Sequence, residues 1–424
     1  MLRQSCRSFH GSATINAATA SKAFSKKGGA YQPRKKRLTP NCLYKPFEQT
    51  ASTSKFNLKA PKLDNEVFVP QDVKKSINTV TEYGSEHLKA LYNMGTFKQG
   101  QHNELFRSPI SLIRETSTLE FLEKLKKHSK FVITGEQGIG KTTLLAQTQS
   151  ALSDTHIVIH VSHPAMFLNG QTDFHFDQSL NEYTNPMFIQ DLFRKVLRCN
   201  EKMLKNIKLS NTHKFQVLDV KNGSKSIKTF EKEKNSLYDL ISIKTSSESK
   251  GKLFQQFIHE LQHQKEYPVA FTMDNFSRLV TTSYTSYRDT EAHHIPTLKF
   301  QLPRMIFDII SGDISFAHKN SKVVLAVTGG HRSNKTLPTA LGTYERNPYL
   351  SLYQYNEEFA AKMKKGGLQA FEVPRLSSNE VSILLDYYKK AGVSNQDHSA
   401  KEEYFVSGNG NPLALIKSIT MNFY

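Results

Sequence analysis

Gly135, Gly140, Lys141 and Thr142 stand at the spacing G-x-x-x-x-G-K-[ST], with Glu136, Gln137, Gly138 and Ile139 between them and Thr143 following. Residue types in this order bind phosphate. The glycines let the backbone curl until its N–H groups converge on an anion, the lysine reaches the β and γ phosphates, and the hydroxyl of Thr142 is offered to Mg²⁺. A second residue fits the same chemistry. Asp274 closes the apolar run 268–273, the position from which a carboxylate helps to hold the Mg²⁺ that Thr142 ligates. Asn275 comes next, and an amide orients water without accepting its proton, so the pair predicts nucleotide binding with slow or absent hydrolysis. Thr328, ending another apolar run, stands where a polar side chain senses the γ phosphate. Pro412, within Gly410-Asn-Pro-Leu413, stands where a residue meets the base.

These residues need a scaffold, and the pattern supplies one. Short β-branched or apolar runs at 131–133, 156–161, 268–273 and 321–327 alternate with helical stretches at 118–127, 143–152 and 251–264. That alternation predicts an α/β fold with an open parallel sheet, whose ligand sits beyond the carboxyl ends of the strands. Gly135, Asp274 and Thr328 all fall at such ends. The nucleotide-binding domain is expected over 106–335, with a Lys- and Ser-rich surface insertion at about 200–250 and a connecting segment at 336–372. From 373 to 424 a helical lid is expected. Ser377 and Glu380 have the spacing of a capping box, and Pro412 opens the last helix.

The chain has 424 residues and a formal net charge of +19. Ten of its Lys and Arg residues, and no acid, lie in residues 1–47. Residues 1–16 are Arg-bearing, Ser/Ala-rich and acid-free, as in a mitochondrial transit peptide. Residues 17–105 are read as a basic, partly irregular N-terminal extension. Its block Arg34, Lys35, Lys36, Arg37 is suited to RNA phosphates, because such an arm cannot fold alone and threads onto a polyanion. Cys6, Cys42 and Cys199 lie far apart, without ligand spacing, and no apolar run approaches the ~20 residues needed to span a bilayer. No membrane partner is expected. His259-Glu260-Leu-Gln-His263 matches the zinc-protease pattern H-E-x-x-H, but both histidines point away from the apolar stripe of their helix and toward solvent, so no zinc is expected.

The phosphate loop, the Asp274-Asn275 strand end, Thr328-Gly-Gly330 and Gly410-Asn-Pro412-Leu together resemble the AAA-like and STAND class of P-loop NTPases. With the transit-like arm and the order of segments, the chain is similar to the death-associated protein 3 family of mitochondrial ribosomal proteins, in a fungal version. The resemblance implies a P-loop NTPase-like sheet that holds GTP or GDP with Mg²⁺ as a structural component of the small subunit in the mitochondrial matrix. It implies small-subunit rRNA and neighbouring ribosomal proteins as partners. The [NT]-K-x-D signature for guanine is absent, since Asn334-Lys335-Thr336-Leu337 lacks the Asp, so ATP is not excluded by the residues themselves. The alternative is a matrix AAA-type ATPase acting on protein or nucleic acid.

Overall fold

The computed structural model describes residues 56–98, 100–218, 225–330, 333–394 and 397–421. Residues 1–16 and the block Arg34, Lys35, Lys36, Arg37 lie outside the described residues.

Five strands form the central sheet: β1 (Lys130–Thr134), β2 (Ile157–Val161), β3 (Val269–Met273), β4 (Lys322–Ala326) and β5 (Gln369–Glu372). Their order is β5-β1-β4-β3-β2, and every neighbouring pair is parallel. The expected α/β parallel sheet is therefore present. β2 and β3 are buried at every position, which is why they read as unbroken apolar runs and do not alternate. Period two still sorts the side chains. Ile157, Ile159 and Val161 join Phe271, Met273, Val323 and Leu325 on one face, while Val158, Ala270, Val324 and Ala326 meet Phe131 and Ile133 on the other.

Helices cover both faces. α1 (Ser85–Met94), α2 (Glu120–Lys127) and α3 (Lys141–Ser153) lie on the Val158 side, through Met94, Phe121, Leu125, Leu144 and Leu145. α4 (Pro186–Cys199), α5 (Lys250–His263), α6 (Gln301–Ser311) and α7 (Glu357–Lys365) lie on the Ile159 side, through Leu192, Phe257, Ile306 and Met363. Each such side chain, once fully buried, stabilises the fold by about 1.5–3 kcal/mol relative to exposure.

Residues 336–372 are more than a connection. They supply a short helix (Thr336–Ala340), α7 and the edge strand β5, which pairs with β1 in register Phe371↔Ile133. Phe371 is the one buried residue of β5 and packs against Phe121 with ring centroids 4.9 Å apart. A four-residue strand with a single buried side chain has no period to detect.

The N-terminal extension is also less irregular than its sequence suggests. From residue 56 it packs on the core, contributing α1 and the strands Glu66–Val67 and Val80–Glu82, which form a three-stranded sheet with Ile110–Leu112 at the start of the nucleotide-binding domain. Phe68, Tyr83, Leu91, Phe97 and Ile113 form its own buried cluster. Strands of two or three residues and 3-10 turns bring these together without a helical or strand period in the sequence.

Within 200–250, the antiparallel hairpin His213–Leu218 with Lys225–Phe230 and the helix Leu237–Ile241 bury Phe215, Phe230 and Leu240 in the main core. The segment is thus built into the domain on one side, not laid over its surface. Glu260 fixes it from α5. Its carboxylate accepts from Ser210 N and Oγ, each at 2.7 Å, from Asn211 N at 3.2 Å, and pairs with His213 Nε2 at 2.7 Å. This explains the H-E-x-x-H pentapeptide without a metal. Glu260 is buried and engaged and His263 is exposed, but His259 does not face solvent as its sequence position suggests: it is half-buried, with Nδ1 enclosed.

The lid comprises α8 (Ser378–Lys390), α9 (Ala400–Val406) and α10 (Pro412–Met421). Ser377 and Glu380 form the capping box that their spacing predicts. Leu384, Tyr388, Leu415 and Ile416 close the lid's core, together with Phe106 and Leu112 from the start of the nucleotide-binding domain.

Candidate functional site

The loop 135–142 leaves β1 and enters α3, whose first-turn N–H groups have no acceptor within the helix and face the carboxyl ends of the strands. Gly138 has φ +81°, and a Cβ there would lie 2.5 Å from Leu413 Cβ. Only glycine lets the lid approach so closely. The lid is hydrogen-bonded to the loop as well, Leu413 N donating to Gly138 O at 3.2 Å and Asn411 Nδ2 to Gln137 O at 2.9 Å. Both carboxylate oxygens of Glu136 accept from Arg375 Nη2, at 2.8 and 2.7 Å. Ile139 is buried in the core beneath the loop.

Lys141 is 6 % exposed and donates from Nζ to Gly135 O at 3.0 Å and to Glu136 O. Burial pushes its ammonium down to about 8, against the opposing pull of Asp274 and Glu136. Thr142 Oγ1 donates to Asp274 Oδ2 at 3.0 Å. Asp274 is buried and stands just past β3, its backbone N donating to Val161 O of β2 at 3.0 Å. Two residues that the sequence pairs only through an inferred metal are therefore in direct contact across the sheet end. Asn275 adopts φ +60° and donates its N to Asp274 Oδ1 at 2.8 Å.

A cavity of about 450 Å³ opens above the loop. Thr143, Thr328 and Pro412 all line it. Thr328 Oγ1 is hydrogen-bonded to Ser277 Oγ at 2.7 Å, so its hydroxyl has a partner in the wall. The far side is apolar, formed by Phe106, Ile110, Leu112, Leu384, Tyr388 and Ile416. Burial pushes the Tyr388 phenol up, so that it stays neutral. The volume and the division into a cationic, N–H-rich side and an apolar side suit one nucleotide, with phosphates on the loop and the ring under the lid. The donor set fits Mg²⁺: a hydroxyl and a carboxylate at the phosphate end leave positions for phosphate oxygens and water.

Three contributors escape sequence reasoning. Lys98, in the extension, reaches Asp274 Oδ2 at 2.5 Å. Arg114 bonds Glu380 at 2.8 and 3.3 Å, Pro374 O at 2.9 Å and Arg375 O at 2.6 Å, pinning the lid to the chain beyond strand Ile110–Leu112. Phe106 and Tyr388 pack with ring centroids 5.7 Å apart. None lies in a motif, and each acts across at least 160 residues of sequence. The capping box at Ser377 was the one local sign that Glu380 mattered.

Comparison with known proteins follows the same outline. The chain is 25% identical over 288 residues to small ribosomal subunit protein mS29 of Schizosaccharomyces pombe, covering 65% of this chain and 58% of that protein. It is 23% identical over 373 residues to small ribosomal subunit protein mS29 of Neurospora crassa, covering 81% of this chain and 75% of that protein. A crystal structure of NtrX from Brucella abortus aligns with 73% of this chain and 48% of that one at 9% identity and a TM-score of 0.26, too low to carry an argument. The model of the family described as mitochondrial ribosomal death-associated protein 3 matches residues 110–418, from strand Ile110–Leu112 to the last lid helix and through the phosphate loop. The chain belongs to the mitochondrial ribosomal death-associated protein 3 family.

Proposed function

We propose that this protein is a nucleotide-binding structural component of the mitochondrial small ribosomal subunit. Membership of the family and similarity to two fungal mS29 proteins support the ribosomal part of this reading. Small-subunit rRNA and neighbouring ribosomal proteins in the mitochondrial matrix are then its partners, and Arg34, Lys35, Lys36 and Arg37 its RNA contacts. The nucleotide is GTP or GDP with Mg²⁺, the guanine preference being drawn from the family resemblance.

The observation that carries nucleotide binding is the Thr142 to Asp274 contact of 3.0 Å at the mouth of a cavity of about 450 Å³. Mg²⁺, when bound, would screen the phosphate charge. Thr142 and Asp274 hold it, Lys141 and the N–H groups of the loop hold the phosphates, and the apolar wall excludes water from the ring. Asn275 cannot accept a proton from an attacking water, which favours a retained nucleotide over rapid turnover. Loop, sheet end and lid are all hydrogen-bonded through the site, so a bound nucleotide would act as a joint between them.

Gradient sedimentation of mitochondrial extract tests the ribosomal role, with the protein expected in the small-subunit fractions. Replacing Arg34, Lys35, Lys36 and Arg37 by neutral residues is expected to flatten the salt dependence of that association, since each phosphate contact releases counterions. Chromatography of nucleotide extracted from the purified protein distinguishes guanine from adenine. Turnover above about 1 s⁻¹ in single-turnover hydrolysis, the lower end of ordinary enzyme rates, would replace this reading with the ATPase-type alternative.

A further inference from the structure

We propose that Lys98 completes a third-phosphate subsite, by which the protein distinguishes a nucleoside triphosphate from a diphosphate. The inference rests on the nucleotide reading above and adds to it a residue outside the phosphate loop.

Lys98 belongs to the extension, not to the P-loop fold proper, yet its Nζ lies 2.5 Å from Asp274 Oδ2, the oxygen that also accepts from Thr142 Oγ1 at 3.0 Å. Its side chain is 11 % exposed, and it lines the same cavity as the loop. The backbone that leads to it is fixed. Thr96 Oγ1 donates to Gln149 Oε1 of α3 at 2.7 Å, Phe97 is buried against Tyr83 with centroids 6.1 Å apart, and Lys98 N donates to Gln101 Oε1 at 3.1 Å. A long cationic side chain is thus held with its head at the metal-ligand carboxylate.

The charge balance points to an anion beyond Asp274. Lys98, Lys141, Lys195 and His163 all act electrostatically on this end of the sheet. Lys195 is paired with Asp191 at 3.3 Å, which leaves Asp274 as the acid that Lys98 and Lys141 share. Burial, then the charges of Lys98 and Lys195, push His163 down to about 4, so it stays neutral, while burial also pulls the Lys98 ammonium down against the opposing effect of Asp274. Mg²⁺ held by Thr142 and Asp274 would compete with the Lys98 ammonium for that carboxylate. An ammonium drawn off it would find its acceptor in the added charge of a third phosphate at the mouth of the loop. A diphosphate offers no such group there.

The test is calorimetric titration of the full chain, with Mg²⁺, by GDP and by guanosine 5′-[β,γ-imido]triphosphate, repeated with the adenine pair. The wild type is expected to prefer the triphosphate. Lys98→Met should weaken triphosphate binding at least about tenfold, the loss of one charge-assisted contact. Diphosphate binding should not weaken, since the change removes a competitor for Asp274, and an unchanged circular dichroism spectrum is the control for folding. Lys98→Arg, which keeps the charge, should recover most of the preference. Equal wild-type affinities for the two guanine nucleotides would overturn the proposal. So would an equal loss of both in Lys98→Met, which is what a merely structural counter-ion to Asp274 predicts. Failure of the wild type to bind any of the four nucleotides would instead overturn the nucleotide reading, and the subsite with it.

Discussion

The two sides of the cavity are built by opposite means. The phosphate side is almost one continuous stretch, 137–143, whose groups are mainly backbone N–H and the side chains of Lys141 and Thr142. The apolar side is gathered from Phe106 and Leu112 at the start of the nucleotide-binding domain and from Leu384, Tyr388 and Ile416 in the lid. One side is a single strand–loop–helix segment with the glycines its turn requires. The other exists only while two chain-distant segments are held together, chiefly by Arg114 and Glu380. The phosphate side should therefore tolerate damage elsewhere, whereas the apolar side should fail as a unit.

The largest effect should come from breaking that hold. Arg114 is 6 % exposed and donates to Glu380 and to two backbone carbonyls. Arg114→Met leaves the Glu380 carboxylate buried without its cation, a change that costs about 3–5 kcal/mol. Urea unfolding followed by fluorescence is expected to show the lid leaving before the sheet. A single cooperative transition with unchanged midpoint would contradict the division into two sides.

How much of this was legible follows from the same contrast. Glycine spacing, Lys141, Thr142 and the Asp274 strand end were readable because backbone geometry near a phosphate demands particular residue types at fixed intervals. Four sheet strands were readable because burial on both faces makes them apolar throughout. β5 was not, having Phe371 as its only buried side chain. Phe106, Lys98 and Arg114 were hidden for another reason: their partners lie in other segments, and nothing local distinguishes a lysine that reaches a buried aspartate from one in solvent. His213 likewise gave no sign that it would engage Glu260, so the structural role of Glu260 within the pentapeptide at 259–263 was hidden.

A smaller effect is expected where the two sides meet. Gly138 and Gly140 both have positive φ, +81° and +99°, but only Gly138 faces the lid. Gly140→Ala should cost about 1–2 kcal/mol for backbone strain alone. Gly138→Ala adds a clash with Leu413 and should cost more, by about 1–3 kcal/mol of overpacking. Thermal melts of the two variants measure the difference. Equal costs would mean that the lid does not press on the loop.

Within the phosphate side, Lys141 predicts a pH dependence of binding. Its folded-state ammonium titrates at about 8, lowered by burial, and a neighbouring phosphate favours the charged form. Binding must then take up a proton above that pH, so affinity is level below about 8 and falls as pH rises, by up to about tenfold per unit. GDP titrations between about pH 7.5 and about pH 9 read the slope. Lys141→Arg, whose guanidinium stays charged, should remove this contribution.

The smallest effect should belong to the latch on the phosphate side, Arg375 with Glu136. Like Arg114, Arg375 joins lid to core through a carboxylate, with bonds of 2.8 and 2.7 Å. Unlike Arg114, it is in water, the two side chains being 41 % and 42 % exposed. Arg375 reaches both oxygens from Nη2 alone where Arg114 uses Nε and Nη2, yet bond count alone would predict similar worth. Solvent screening and the cost of ordering two long side chains predict otherwise, at most about 1 kcal/mol. A double-mutant cycle of Arg375→Ala and Glu136→Ala, read by thermal unfolding, isolates the pair, because Arg375 also donates to Gly408 O at 2.7 Å and that bond cancels in the cycle. The coupling should shrink further with added salt. A coupling above about 2 kcal/mol, insensitive to salt, would exceed what an exposed pair can supply and would mean that the lid is locked as firmly over the phosphate side as over the apolar one.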